Sequence, residues 1–190
     1  NYIMNIFYLH KDPKTCAEMH CDKHVCKMII EYAQLMSTAH RVIDGVSYEG
    51  RTANNRRIAR WLHPLENHEK VLYKASHINH PSNIWVRESQ NHYNWLYEMW
   101  THLCDEYTHR YDKIHMTDSK LRGILESPPM QIDVKTFVDP YLAMPNDVKQ
   151  TNVVEAYKNY YINYKKDFAK WTKRPTPKFM NFETHAGYAS

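Results

Sequence analysis

Residues 14–43 read KTCAEMHCDKHVCKMIIEYAQLMSTAHRVI. Ala17, Val25, Met28, Ile29, Tyr32, Leu35, Met36 and Ala39 recur there at steps of three and four, which puts them on one face of an α-helix. Asp12 and Pro13 just ahead are an N-cap and a first helical residue, and Asp44-Gly45 is a stop signal. The stretch is predicted as one long helix.

Working outward, residues 3–9 are short and apolar and are expected to be extended. Residues 45–55 look like a polar loop, followed by a short helix over 55–62 ahead of Pro64. The His77–Ser82 segment is a second loop. Pro81 can open a helix reaching about Tyr111, with Ile84, Trp85, Tyr93, Leu96, Met99, Trp100, Leu103 and Tyr107 as its stripe. A shorter helix ends at Ser127-Pro128-Pro129, and residues 130–145 read as irregular. A last helix, over 153–173, stops at Pro175 and Pro177. Only four glycines occur in 190 residues, too few for the tight turns of a sandwich or barrel. The expected fold is all-α: a single compact domain over residues 1–190, with about five helices, a short extended N-terminal segment and an extended tail from about residue 175.

The net charge of +4 permits a polyanionic partner without requiring one. Cys16, Cys21 and Cys26 fall at spacings of five, roughly 140° apart around one helix, so they cannot converge on a metal. With Cys104 they are read as free thiols in a reducing compartment. No stretch approaches the roughly 20 apolar residues of a membrane span, and no signal peptide is visible. The expected location is the cytoplasm.

Four constellations could carry chemistry. On the long helix, Glu18, His20, Asp22, Lys23, His24, Lys27 and Glu31 crowd together. They suit acid–base and amine chemistry, a metal at His20 and His24, or only a solvated face with i,i+4 support pairs. The metalloprotease pattern would put Glu after the first His, where Cys21 stands. At Asn79-His80-Pro81 a helix start with Arg87 inside it could receive a phosphate, unless Asn79 caps the helix and His80 is structural. The Glu106–His115 segment holds the pair Glu106 and Arg110, with Arg110, Lys113 and His115 as possible phosphate contacts. In residues 157–174, tyrosines alternate with lysines and arginines, as bases and phosphates require; the plainer reading is core tyrosines and solvated lysines, with Lys173 and Arg174 as the functional cations.

Ile6-Phe7, Asp12-Pro13, Asp22-Lys23-His24-Val25, Asn79-His80-Pro81, Glu106–Tyr111 and Trp171–Pro175 together resemble a widespread, mostly uncharacterised group of bacteriophage proteins. More remotely, Glu18–Lys27, His77–Pro81 and Arg174-Pro175-Thr176 follow the order of features in pyrimidine-dimer DNA glycosylases of the phage endonuclease V type. That resemblance implies a small helical enzyme acting in the host cytoplasm and attacking with the α-amine of a processed N-terminus. Here Met4 is internal, so the implied amine is that of Asn5 after processing, or a lysine such as Lys23 or Lys27.

The function expected is that of a DNA glycosylase or glycosylase/lyase acting on a modified or damaged base. Asp22, Lys23, His24, Lys27 and Glu31 would form the catalytic set. Asp22 or Glu31 would stabilise the sugar cation or activate water, and Lys23 or Lys27 would form the Schiff base. Trp85 and Tyr93 would stack the extruded base, and His80, Arg87, Arg110, Lys173 and Arg174 would meet DNA. DNA is the expected partner, with no membrane, no cofactor and no metal. The alternatives are a metal-dependent enzyme using His20 and His24, with His80 or Glu106 as third ligand, and a non-catalytic phage accessory protein with an aromatic docking surface.

Overall fold

In the computed structural model, which describes residues 4–181, the Asp12-Pro13 start behaves as its chemistry dictates. Asp12 Oδ2 accepts the Thr15 amide at 2.9 Å, and α1 runs Pro13–Met19. The predicted long helix is in fact two. His20 and Cys21 are extended, and α2 runs Asp22–Asp44. Neither Gly nor Pro marks this break; distant groups hold it. Arg110 donates to the carbonyls of Glu18 and His20 at 2.9 and 2.8 Å, satisfying acceptors that the end of α1 leaves without helical partners. The Asp22 amide donates to the Lys170 carbonyl at 2.7 Å.

Gly45 turns the chain sharply back. A Cβ there would lie 2.3 Å from the Arg41 carbonyl oxygen and 2.9 Å from that of Leu62, so no larger residue fits. The next segment departs from the expected loop and helix. β1 (Val46–Arg51) and β2 (Arg57–Leu62) form an antiparallel hairpin pairing Val46 with Leu62 and Arg51 with Arg57. Its tip closes through the Thr52 amide on the Arg56 carbonyl, with Asn55 in the left-handed region at φ 59°. Most of the hairpin is exposed, so neither strand has a strong apolar alternation to read. The short helix α3 (Glu66–Val71) follows; it was not expected.

The predicted 81–111 helix is also divided, into α4 (Pro81–Glu88) and α5 (Gln90–Tyr111). Ser89 is the divider: its Oγ accepts the amides of Asn91 and Lys135 and donates to the Lys135 carbonyl at 2.8 Å. α6 covers Met116–Glu126, ending before Pro128 as expected. α7 (Val153–Tyr160) gives way to a π-turn at Tyr161–Lys165, so the last helix is far shorter than its predicted span. The part of the expected tail beyond residue 181 lies outside the described residues.

The chain is therefore mostly helical, with seven α-helices and one two-stranded sheet among the described residues. α2 packs on α4, α5 and α6, and α1 on α5. The extended segment Ile6–Leu9 is buried with them, and the Phe7 amide donates to the Tyr32 hydroxyl at 3.1 Å. Trp100, fully buried, donates its indole N–H to the Ile29 carbonyl at 2.9 Å. All four cysteines are free thiols. Among the described residues no helix is long and apolar enough to cross a membrane.

Candidate functional site

The first half of α2 carries Lys23, His24, Lys27 and Glu31 of the predicted catalytic set, and Lys27 is the one that reaches the Glu31 carboxylate. Glu31 Oε1 accepts the main-chain amide of Met4 at 2.7 Å. Its Oε2 is buried without a hydrogen-bond partner and lies 3.6 Å from Lys27 Nζ. Two turns back from Glu31, His24 is buried; its Nδ1 meets the Tyr161 hydroxyl at 2.6 Å and its ring stacks on Phe7 at 4.2 Å. Burial, then the charges of His20, Lys165, Lys27 and Lys23, hold this imidazole neutral far below the usual histidine range.

Lys23 lies over the Phe168 ring at 4.5 Å. Lys165, which sequence reasoning passed over as one more solvated lysine, comes into the same space from the π-turn. Its Nζ stands 4.8 Å above Tyr160 and 5.9 Å from the centre of Phe168. Burial, then Lys27 and Lys23, push Lys165 below the ordinary lysine range. Three ammonium groups, a neutral histidine and a half-used carboxylate thus share one face edged by aromatic rings. Lys165 meets Tyr160, five residues back, because the segment is π-helical, and a regular α-helical reading of the sequence does not bring residues at that spacing together.

Asp22 belongs to a different network. It accepts the Thr172 amide at 2.9 Å, the Thr172 hydroxyl at 2.6 Å and Arg110 Nη1 at 3.1 Å. Arg110 has no exposed side-chain surface and donates Nε to Glu106 Oε2 at 2.7 Å. Arg174 grips the same carboxylate, 2.6 Å from Oε1. Arg110 therefore cannot serve as the phosphate contact expected of it, and Asp22 is a clamp on the C-terminal segment. Arg174 borders an open cavity of about 340 Å³ with Lys14, Glu18, His102 and His109. Lys173 is spent on the His109 carbonyl and Asp112, at 3.1 and 3.0 Å.

The expected base-stacking residues are core. Trp85 is fully buried, stacks on His92 at 4.3 Å and donates to the Val138 carbonyl at 2.9 Å. Tyr93 is fully buried and donates to the Leu125 carbonyl at 2.7 Å. Neither ring has a face for a base. His80, rather than Asn79, caps α4: its Nδ1 accepts the Ser82 amide at 3.1 Å. Arg87 donates to the Ile78 carbonyl at 2.8 Å. This loop lies beside Thr38, whose hydroxyl accepts the Ser76 amide at 3.3 Å. At 1.5 Å per residue, Thr38 is roughly 17 Å along α2 from Lys27. His80 and Arg87 thus stand apart from the lysine face.

The His20/His24 metal pair of the alternative reading does not form. The two residues lie on either side of the helix break, and both ring nitrogens of His20 are used, by the Cys16 carbonyl and the Tyr32 hydroxyl, each at 2.7 Å. Glu106, a suggested third ligand, is taken by the two arginines.

No protein-family model matches this chain, and no curated protein or solved structure matches it.

Proposed function

We propose that this protein is a DNA-processing enzyme of the glycosylase or glycosylase/lyase type, working at Glu31. The observation that carries the reading is a nearly buried carboxylate with one oxygen on the Met4 main-chain nitrogen and the other unbonded, 3.6 Å from Lys27, on the helix face where Lys23 and Lys165 gather around Lys27. An amine attacking C1′ of a deoxynucleotide forms an N–C1′ bond as the glycosidic bond breaks. The base leaves with the bonding pair and takes a proton, and the amine gives one up. Glu31 is placed to stabilise the positive charge that develops on the sugar and to accept that amine proton. Ring opening then yields the Schiff base from which a 3′ phosphate can be eliminated.

Lys165 is the candidate side-chain amine, because burial and the neighbouring Lys27 and Lys23 lower its pKa. Cleavage of the chain before Met4, one residue ahead of the Asn5 terminus that the resemblance implies, would place an α-amine at the same carboxylate. Lys23, Lys27 and Lys165 on one face also suit a phosphate backbone, so DNA binding should weaken steeply with salt.

The test is borohydride trapping on a panel of duplexes carrying abasic sites and modified or damaged bases, followed by peptide mapping of the cross-link. Glu31→Gln should reduce trapping by about 10²-fold or more while binding at low salt changes little. A cross-link on Lys165 identifies that amine, and Lys165→Ala then abolishes trapping. No cross-link and no base release across the panel would remove the reading.

A further inference from the structure

The far end of α2 carries a second cluster, built from different parts of the chain. His40 and Asp44 lie one turn apart on α2. His63 follows β2, and His68 comes from α3. One potential ligand atom from each of His40, Asp44 and His63 lies within 4.8 Å of the other two, and all three residues are buried. His68 stacks on His63, with ring centres 4.8 Å apart and planes 14° apart, and its centre is 5.8 Å from that of His40.

The hydrogen bonds assign the free atoms. Tyr93 gives its hydroxyl proton to the Leu125 carbonyl, so at 2.8 Å it accepts from His40 Nε2. His40 Nδ1 is then a bare lone pair, buried and without a hydrogen-bond partner. His63 Nε2 and His68 Nδ1 are likewise buried and unpartnered. Three such atoms in one spot are costly in a finished protein interior. Asp44 is already oriented: its carboxylate accepts the Met130 and Gln131 amides at 2.7 and 3.0 Å and has lone pairs to spare.

The surrounding structure holds this geometry. Arg41, beside His40 on α2, donates to the carbonyls of Trp61, Glu69, Leu72 and Tyr73 and to the Glu69 carboxylate. Glu69 in turn accepts the His63 amide at 2.9 Å. The strand and helix that deliver His63 and His68 are thereby locked to α2. A cavity of about 340 Å³, bordered by His40, Asp44, His63, His68 and Ser127, opens onto the cluster.

We propose that His40 Nδ1, Asp44 and His63 Nε2 bind a divalent transition-metal ion of the zinc type, with His68 as a fourth protein group and the cavity as its route of entry. Two imidazoles and one carboxylate are a donor set such ions prefer, and hydrogen bonds from outside orient His40 and Asp44 as ligands need. For a metal at Nε2 of His63, the ring proton moves to Nδ1. The 3.1 Å contact from the Leu65 amide is then given up, and that exposed residue turns its N–H to water. The inference stands apart from the Glu31 reading, since neither its residues nor its test involves DNA.

The experiment uses the full chain, stripped with chelator and titrated with Co²⁺ and separately with Zn²⁺. One Co²⁺ per chain should bind and produce visible d–d absorption, Zn²⁺ should abolish that absorption by displacement, and Zn²⁺ should raise the melting temperature. His63→Ala should weaken binding about 100-fold, and His68→Ala about tenfold. Because Asp44 also anchors the Met130 loop, Asp44→Asn is informative only alongside His63→Ala, with circular dichroism confirming native helix content in both. Failure of the stripped chain to take up either ion would overturn the proposal. So would uptake that folded His63→Ala and His40→Gln variants leave unchanged.

Discussion

Replacing Glu106 by alanine should lower the free energy of unfolding by about 3–5 kcal/mol. The carboxylate is 3% exposed and is gripped by Arg110 and Arg174. Burial raises its pKa, but the hydrogen bonds and charges of the two arginines more than reverse this, so Glu106 titrates below the usual carboxylate range. Arg110 is a guanidinium with no exposed side-chain surface. Without Glu106 it keeps only Asp22 as a charged partner, and a buried charge that loses a partner is far more costly than a surface pair that opens. The same carboxylate ties α5 to the C-terminal segment through Arg174, while Arg110 closes the break between α1 and α2. The exposed Lys173–Asp112 pair provides the contrast: Lys173→Ala should cost no more than about 1 kcal/mol. Urea unfolding of both variants decides the matter, and a Glu106→Ala loss as small as that of Lys173→Ala would refute the network's role.

Acid should destabilise this protein before its carboxylates begin to titrate. Burial pushes His20 from its ordinary value down to about 4, and His24 is shifted in the same direction. A histidine with a lowered folded pKa takes its proton first in the unfolded chain. Its contribution to stability is therefore complete above about pH 6.5 and is lost as the pH falls toward the folded value. At about 1.4 kcal/mol per pH unit, His20 alone accounts for a loss of about 3 kcal/mol by pH 4. Glu106, with its lowered pKa, adds to the loss only below its ordinary carboxylate range. The urea midpoint should fall steadily between pH 6.5 and pH 4.5, and less steeply in His20→Gln. Equal midpoints at pH 7 and pH 4.5 would contradict the burial of these imidazoles.

What the sequence determined by itself was local. The Asp12-Pro13 start, the end of α6 before Pro128 and the helical class all follow from capping chemistry and from periodicity within a few residues. The crowding of Lys23, His24, Lys27 and Glu31 on one helix was legible for the same reason. Tertiary structure decided everything that depends on a distant partner. The break at His20–Cys21 exists because Arg110 and Lys170 take up the polar groups there, and no nearby residue announces them. The division at Ser89 rests on Lys135. Trp85 and Tyr93 look alike as stacking platforms or core residues in any one-dimensional pattern, because apolar spacing places a ring on a face without saying what covers that face. Lys165 joins the lysine face, and His40, Asp44, His63 and His68 meet, only because helix packing and the Gly45 turn bring separate segments together. Burial and electrostatics depend on such distances in space, whereas the sequence records only order along the chain.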